Sequence, residues 1–259
     1  MAAISTLQEA DADFTRAINV NALGTSCLLD AVYEYGYDTI KSVVCITSDK
    51  VYAESDEILI ESSPLGGREI YSASKVCQEE VINAFRNKFV LKGISLCSAR
   101  GGNVIGGGDW KANRLVPDYM RSYANNESLK LRNTTNVRPF QYILDVLNGY
   151  MQLAEFSYKN EIYESYNIGP TKGSAISVQT VVNMLNEAMG VEADIRNMDM
   201  IHNEAPFLSI NSTKALNDFW CGSKFTTREA VGETAEWYKS AFSGKNMLEY
   251  SEGCIERYV

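Results

Sequence analysis

Two short apolar runs on either side of one long helical segment constrain the fold of this chain more than any other feature. Ser42-Val43-Val44-Cys45-Ile46-Thr47 and Ile94-Ser95-Leu96-Cys97-Ser98-Ala99 are nearly continuous in apolar side chains and too short for stable helices. Between them, Pro64-Leu65-Gly66-Gly67 marks a loop, and the stretch from Tyr71 to about Leu91 reads as helix. Strand, helix and strand in that order, with strands apolar on both sides, predict a parallel sheet covered on both faces. Upstream, Phe14, Ile18, Leu23, Leu28, Leu29 and Val32 recur near helical spacing, so Ala10 to Tyr35 is expected as helix.

From Arg100 the texture changes. Arg100-Gly101-Gly102-Asn103-Val104-Ile105-Gly106-Gly107-Gly108-Asp109-Trp110 reads as a glycine-rich loop, followed by short elements rich in Arg and Asn. Two further helices are expected, one over Val178, Val181, Val182, Leu185 and Met189 with Ser177 as N-cap. The other spans Ala230, Val231, Thr234, Trp237, Tyr238 and Phe242. No repeat or low-complexity linker divides the 259 residues, and the pieces read as interleaved.

Several function classes are disfavoured. A net charge of -9 does not suit a general phosphate-backbone binder, so no nucleic-acid partner is expected, although a local basic pocket for one phosphorylated ligand is compatible. No apolar run is long enough to cross a bilayer, and no export signal is visible, so no membrane partner is expected and the cytosol is the expected compartment. The six cysteines are scattered without C-x-x-C, and four lie in apolar segments where a buried thiol is the ordinary outcome. With His202 as the single histidine, no metal site is expected.

Tyr71-Ser72-Ala73-Ser74-Lys75 carries the chemistry. Residues at i and i+4 share a helix face, and an ammonium beside a phenol favours the phenolate, a usable base near neutral pH. Alone, Y-x-x-x-K is common on solvated helices. Here it opens a helix soon after a strand whose polar end is Thr47-Ser48-Asp49-Lys50, and ligands of open α/β sheets sit beyond such strand ends. Together these residues resemble the extended short-chain dehydrogenase/reductase family. That resemblance implies that Ser48 orients a sugar hydroxyl and Tyr71 is the base. It implies that Lys75 holds the nicotinamide ribose of NAD, and that Asn21, in Asn21-Ala22-Leu23-Gly24-Thr25, supports a proton relay.

Within that family the chain resembles the CDP-glucose 4,6-dehydratases. An acid directly after the Ser or Thr is a dehydratase feature, and Thr47-Ser48-Asp49-Lys50-Val51-Tyr52 has the version with lysine next. A solvated Asp-Lys pair is the commoner fate of such a dipeptide. Arg100 to Trp110, then Arg114-Leu115-Val116-Pro117-Asp118, Arg132-Asn133 and Arg138-Pro139-Phe140-Gln141, match that family's R-x-G-N-V-I-G-G-G-D-W stretch and its continuation. Where the family usually has Trp-Gln-His after Arg-Pro, this chain has Phe140-Gln141-Tyr142, which keeps an aromatic wall. His202-Asn203-Glu204-Ala205 resembles a family segment near the substrate.

The resemblance implies a nucleotide-sugar lyase that uses NAD transiently. Its catalytic residues are Ser48, Asp49 as acid, Lys50 as base, Tyr71 and Lys75. Asn21, Thr47, Tyr71, Lys75 and Arg100 are expected at the cofactor, and Asn103, Arg114, Leu115, Arg132 and Arg138 at the substrate, where an arginine fork suits a diphosphate. The fold expectation is α/β, an incomplete Rossmann-type parallel sheet with a smaller α/β substrate-binding portion. Residues 1–100 would be the C-terminal half of an NAD-binding domain, and 101–259 mainly the sugar-nucleotide portion, interleaved with returning Rossmann elements. No G-x-G-x-x-G or G-x-x-G-x-x-G occurs, so two or three βαβ units, roughly 30 residues each, are expected to be missing upstream. The partner expectation is a homodimer through the helices around Asn21 and Tyr71, or a second chain supplying those units. Two other readings stay open: a non-catalytic nucleotide-sugar binding protein, and an epimerase or reductase of the same family.

Overall fold

A computed structural model describes residues 3–173, 175–197 and 205–259. The chain opens with α1 (Leu7–Ala12), α2 (Phe14–Ile18) and α3 (Gly24–Ala31), then β1 (Ser42–Ile46), α4 (Ile70–Val90) and β2 (Ser95–Gly101). Next come β3 (Asn103–Ile105), α5 (Leu115–Asn125), β4 (Leu129–Leu131), β5 (Val137–Arg138), β6 (Phe140–Tyr142) and α6 (Ile143–Asn160). It continues through β7 (Ser165–Ile168), β8 (Ile176–Ser177), α7 (Val178–Met189), β9 (Ile195–Asn197), α8 (Thr213–Asp218), α9 (Thr227–Phe242) and α10 (Met247–Tyr258). The chain divides into two compact units. One comprises Met1–Gly102, Asn148–Gly169 and Leu208–Cys221, the other Asn103–Leu147, Pro170–Phe207 and Gly222–Val259.

The first unit is built on a three-stranded parallel sheet in the order β1-β2-β7, with Val44 opposite Cys97 and Ala99 opposite Tyr166. Every residue of β2 and β7 is buried, which is why β2 reads as an apolar run instead of an alternating one. Successive side chains point to opposite faces. Cys45 and Leu96 join Ile82 and Phe89 of α4, with Leu29 and Val32, on one side. Cys97, Ala99, Tyr166 and Ile168 meet Leu153 of α6, Ala215 and Trp220 on the other. Burying side chains the size of Ile82 or Phe89 contributes about 1.5–3 kcal/mol each. The α4 helix runs uninterrupted by Gly or Pro and stops before Gly93, whose φ of 62° suits glycine.

The single helix expected from Ala10 to Tyr35 is instead a broken run. Asp13 leaves helical geometry at φ -150° and caps Arg16 N with its carboxylate. Residues Asn19–Leu23 and Val32–Gly36 form π turns. The thiol expectation is also revised: Cys45 and Cys97 are buried, Cys27, Cys77 and Cys221 exposed, and Cys254 intermediate.

The second unit carries three two-stranded pairings: β3 with β6 and β4 with β9, both parallel, and β5 with β8, antiparallel. The expected glycine-rich loop is therefore partly strand, because Asn103–Ile105 has Phe140–Tyr142 to pair with. Its core joins Val116, Tyr119 and Met120 of α5, Val181, Val182 and Leu185 of α7, and Ala230, Val231 and Tyr238 of α9. Ser177 caps α7 by accepting from Thr180 N at 3.1 Å, and Thr226 with Glu229 forms a capping box on α9. Among the described residues no helix is long and apolar enough to cross a membrane.

Candidate active site

The polar end of β1 turns sharply. Ser48 Oγ accepts from Lys50 N at 3.2 Å and caps the short 3-10 turn Asp49–Val51, and the same hydroxyl donates to Asp49 Oδ1 at 3.1 Å. Both Ser48 and Asp49 are buried. Lys50 Nζ lies 3.7 Å from Glu69 Oε2, an acceptor also used by Ser72 Oγ at 3.0 Å.

Tyr71 stands in the first turn of α4, among Ile4, Leu7, Ala10 and Ala17. Lys75 sits one turn later, only 4% exposed, and donates to Gln78 Oε1 at 2.8 Å and to Ile46 O at 3.4 Å. Burial pushes its ammonium down from the usual lysine range to about 8, against the opposing pull of Glu79 and Cys45. An ammonium has three hydrogens, and those contacts use two of them. A third therefore remains for a ribose hydroxyl, and on that ground the donor set fits a nicotinamide cofactor.

Asn21 is placed differently from the expectation of a relay. Its Oδ1 accepts from Ile4 N, and its Nδ2 donates to Ile4 O, both at 3.0 Å, and to Ser74 Oγ at 2.9 Å. Both N–H donors are thereby used, and the side chain ties the segment at Ile4 to α4. Its main-chain carbonyl accepts from Thr25 Oγ1, which accepts from Gln78 Nε2, the amide that also receives Lys75.

Arg100, expected at the cofactor, lies in a buried ion pair. Its Nε and Nη2 donate to Glu79 Oε1 and Oε2 at 3.0 and 2.8 Å. Its remaining hydrogens go to Tyr52 OH, Glu61 O and Ser165 Oγ. Five donors thus meet protein acceptors. Thr47, also expected at the cofactor, donates to Glu79 Oε1 at 2.6 Å. Burial opposes charge on Glu79, but Arg100, Thr47 and Ser98 hold its carboxyl below the usual range.

Sequence reasoning missed Glu79, Gln78, Thr25 and Tyr150. Glu79 was within reach, since Tyr71, Lys75 and Glu79 repeat at i, i+4 and i+8 along one face of α4. Tyr150 had no signal. It lies on α6, packs with Val44 and Ile46 against the sheet, and its phenol is pushed far above the tyrosine range by burial, then by Asp49 and Tyr71.

The residues expected at the substrate belong to the second unit. Asn103 is half-buried in β3, with its N–H on Pro139 O. Arg114 occupies the N-cap position of α5 and pairs with Asp109 at 3.3 Å, and Leu115 begins that helix against the core. Arg132 comes directly after β4, half-buried. Arg138 is buried in β5 and donates to Val137 O at 2.8 Å. The aromatic wall is present as buried Phe140 and Tyr142. His202, Asn203 and Glu204 lie outside the described residues. Among the described residues no cluster of His, Cys, Asp or Glu suits a metal ion.

Residues 1–169 match the NAD dependent epimerase/dehydratase family. The chain belongs to that family. Among curated members, CDP-glucose 4,6-dehydratase of Salmonella typhimurium is 35% identical over 93% of this chain and 70% of its own length. Two solved structures of like fold are a dTDP-glucose 4,6-dehydratase from Streptomyces venezuelae and a UDP-glucuronic acid 4-epimerase from Bacillus cereus. The first has a TM-score of 0.83 at 22% identity, covering 96% of this chain and 74% of its own, and was solved with NAD bound. The second, with UDP-glucuronic acid and NAD, has a TM-score of 0.82 at 19% identity, covering 93% and 74%. The parallel α/β sheet of the first unit is thus the Rossmann-type sheet of an NAD-dependent epimerase/dehydratase.

Proposed function

We propose that this chain carries nucleotide-sugar 4,6-dehydratase chemistry, with CDP-glucose converted to CDP-4-keto-6-deoxyglucose. The observation that carries the reading is that Lys75 Nζ, one turn after Tyr71 on α4, donates to Ile46 O at 3.4 Å, so the helix that carries Tyr71 meets the strand end that leads into Ser48 and Asp49. The identity to the Salmonella enzyme supports the CDP-glucose assignment. Held at its ribose by Lys75, NAD would supply a hydride acceptor for C4 and a donor for C6 of the sugar, with none consumed overall.

The residues divide the remaining work. Ser48 hydrogen-bonds the C4 hydroxyl, and Tyr71 removes its proton. Lys75 favours the phenolate by its charge and holds the ribose with its third hydrogen. The C4 ketone acidifies C5. Lys50 takes the C5 proton while Asp49 protonates the departing C6 hydroxyl, and water leaves. Asn103, Arg114, Leu115, Arg132 and Arg138 bind the nucleotide diphosphate, the arginines by forked contacts. Thr47, Asn21 and Arg100 support the cofactor end through Glu79 and the Ile4 segment instead of touching the ligand. A cytoplasmic location accords with cysteines kept as thiols instead of disulfides.

The test is mass spectrometry of CDP-glucose incubated with the chain and NAD. A product lighter by one water supports the reading, and an isomer of unchanged mass favours epimerisation. Asp49→Asn should slow elimination by roughly a hundredfold. Full-rate elimination in that variant would remove Asp49 from the mechanism. Stabilisation by CDP without any turnover would favour a binding protein.

A further inference from the structure

The triplet Ser48-Asp49-Lys50 is bracketed by two side chains that reach the same buried ion pair. On the N-terminal side, Thr47 Oγ1 donates to Glu79 Oε1 at 2.6 Å, and Thr47 N donates to Ala99 O at 2.9 Å. On the C-terminal side, Tyr52 OH accepts from Arg100 Nη1 at 3.0 Å and donates to Asn167 Oδ1 at 2.6 Å. The Arg100 guanidinium also lies 5.0 Å from the centroid of the Tyr52 ring. Arg100 Nη1 reaches Glu61 O further along the same segment, and Asn167 N donates to Glu61 Oε1. The turn is a short 3-10 stretch between a strand end and an irregular loop, tied also by Val51 O, which accepts from Gly66 N at 2.9 Å, and these two side chains add its links to the ion pair.

Glu79 sits on α4 two turns beyond Tyr71 and one beyond Lys75. Its side chain is 0% exposed and its two oxygens serve Thr47, Arg100, Ser98 and Ser165. The helix that carries Tyr71 and Lys75 is therefore hydrogen-bonded, through one carboxylate, to the loop that carries Ser48 and Asp49.

We propose that Glu79 and Arg100 are positioning residues: their ion pair, gripping Thr47 and Tyr52, sets the Ser48–Lys50 turn at a fixed distance from Tyr71 and Lys75 on α4. This rests on the reading of Ser48, Asp49 and Tyr71 as groups that act on one sugar. The five-donor fork makes arginine specific here, because a lysine at position 100 has three hydrogens and no planar fork with which to span Glu79 and Tyr52 together. The consequence for reactivity is that the turn can be loosened without touching any group that contacts the substrate.

Glu79→Gln is the direct variant, but it leaves Arg100 as a buried charge lacking its counter-ion and threatens folding. Tyr52→Phe and Thr47→Val each cut one grip and keep the ion pair, and Thr47→Ser restores the hydroxyl. All are made in the full chain and read in two independent ways. Amide hydrogen exchange followed by mass spectrometry should show peptides spanning 48–52 exchanging roughly tenfold faster in Tyr52→Phe and Thr47→Val, the effect of losing one hydrogen bond. Peptides from β2 and α4 should keep wild-type rates, and Thr47→Ser should return the turn to wild-type exchange. In turnover of CDP-glucose, the same two variants should lose roughly tenfold or more in kcat with KM unchanged, since the change affects alignment of the reacting groups and not the diphosphate contacts. Unaltered exchange at 48–52 in both variants overturns the proposal, and so does faster exchange with wild-type kcat. If the wild-type chain releases no dehydrated product, the functional reading fails, and the exchange pattern alone then decides whether the grip exists.

Discussion

Replacing Lys75 with methionine offers a quantitative check on the electrostatics of the site. The ammonium is held down to about 8 from the usual 10.5, chiefly by burial. In the unfolded chain it keeps its proton to higher pH, so across that window the unfolded state binds more protons than the folded one. Stability of the wild type must therefore rise with pH as the folded lysine is neutralised, and the penalty of burying its charge is fully present below the folded value. At about 1.4 kcal/mol per pH unit of displacement, the full effect is about 3 kcal/mol, of which about 2.5 kcal/mol falls between about pH 7 and about pH 10. The assay is urea unfolding of wild type and Lys75→Met across that range, with the difference in unfolding free energy plotted against pH. Titration of other groups largely cancels in the difference, including that of the Cys45 thiol, which burial pushes up to about 12 in the folded protein of wild type and variant alike. Wild type should gain on the variant by the stated amount as pH rises. A flat difference would refute the claim that Lys75 carries its charge at a desolvation cost.

Three further outcomes are expected. Asn21→Ala should lower stability by about 3 kcal/mol in urea unfolding, because Ile4 N, Ile4 O and Ser74 Oγ all lose a buried partner. Gly107→Ala should destabilise by about 1–3 kcal/mol and alter tryptophan fluorescence, since a β-carbon there would fall within the Trp237 ring. Alkylation of the native protein, read by peptide mass spectrometry, should modify Cys27, Cys77 and Cys221 and spare Cys45 and Cys97 until denaturant is added; labelling of Cys45 at the exposed rate would contradict its burial.

The sequence was informative where local chemistry is sufficient. The strands β1 and β2 and the helix α4 announce themselves because a buried parallel strand must be apolar on both faces and a long helix must avoid Gly and Pro. α7 and α9 carry their own caps in Ser177 and Thr226. Elements defined by distant partners were not legible. Asn103–Ile105 is strand only because Phe140–Tyr142 lies beside it, and α6 begins directly after β6, with no punctuating residue between Tyr142 and Ile143. The same holds at the site. Tyr71 and Lys75 are four apart and visible as a pair, whereas the pairing of Arg100 was not legible because its fork closes on Glu79, 21 residues away. Tyr150 lies against the sheet core from a helix far along the chain, and no local pattern marks it.

The π turn at Asn19–Leu23 makes the length of the first helical run a constraint in its own right. Each such turn accommodates one residue more than an α-helix would, and one residue amounts to about 100° of rotation. Because the turn absorbs that residue without passing the rotation on, deleting one residue there would let the run relax into regular helix with Leu29 and Val32 still on the core and Leu28 still facing solvent. A second deletion, into regular helix, would instead turn the downstream face by that angle and carry Leu29 and Val32 off the core.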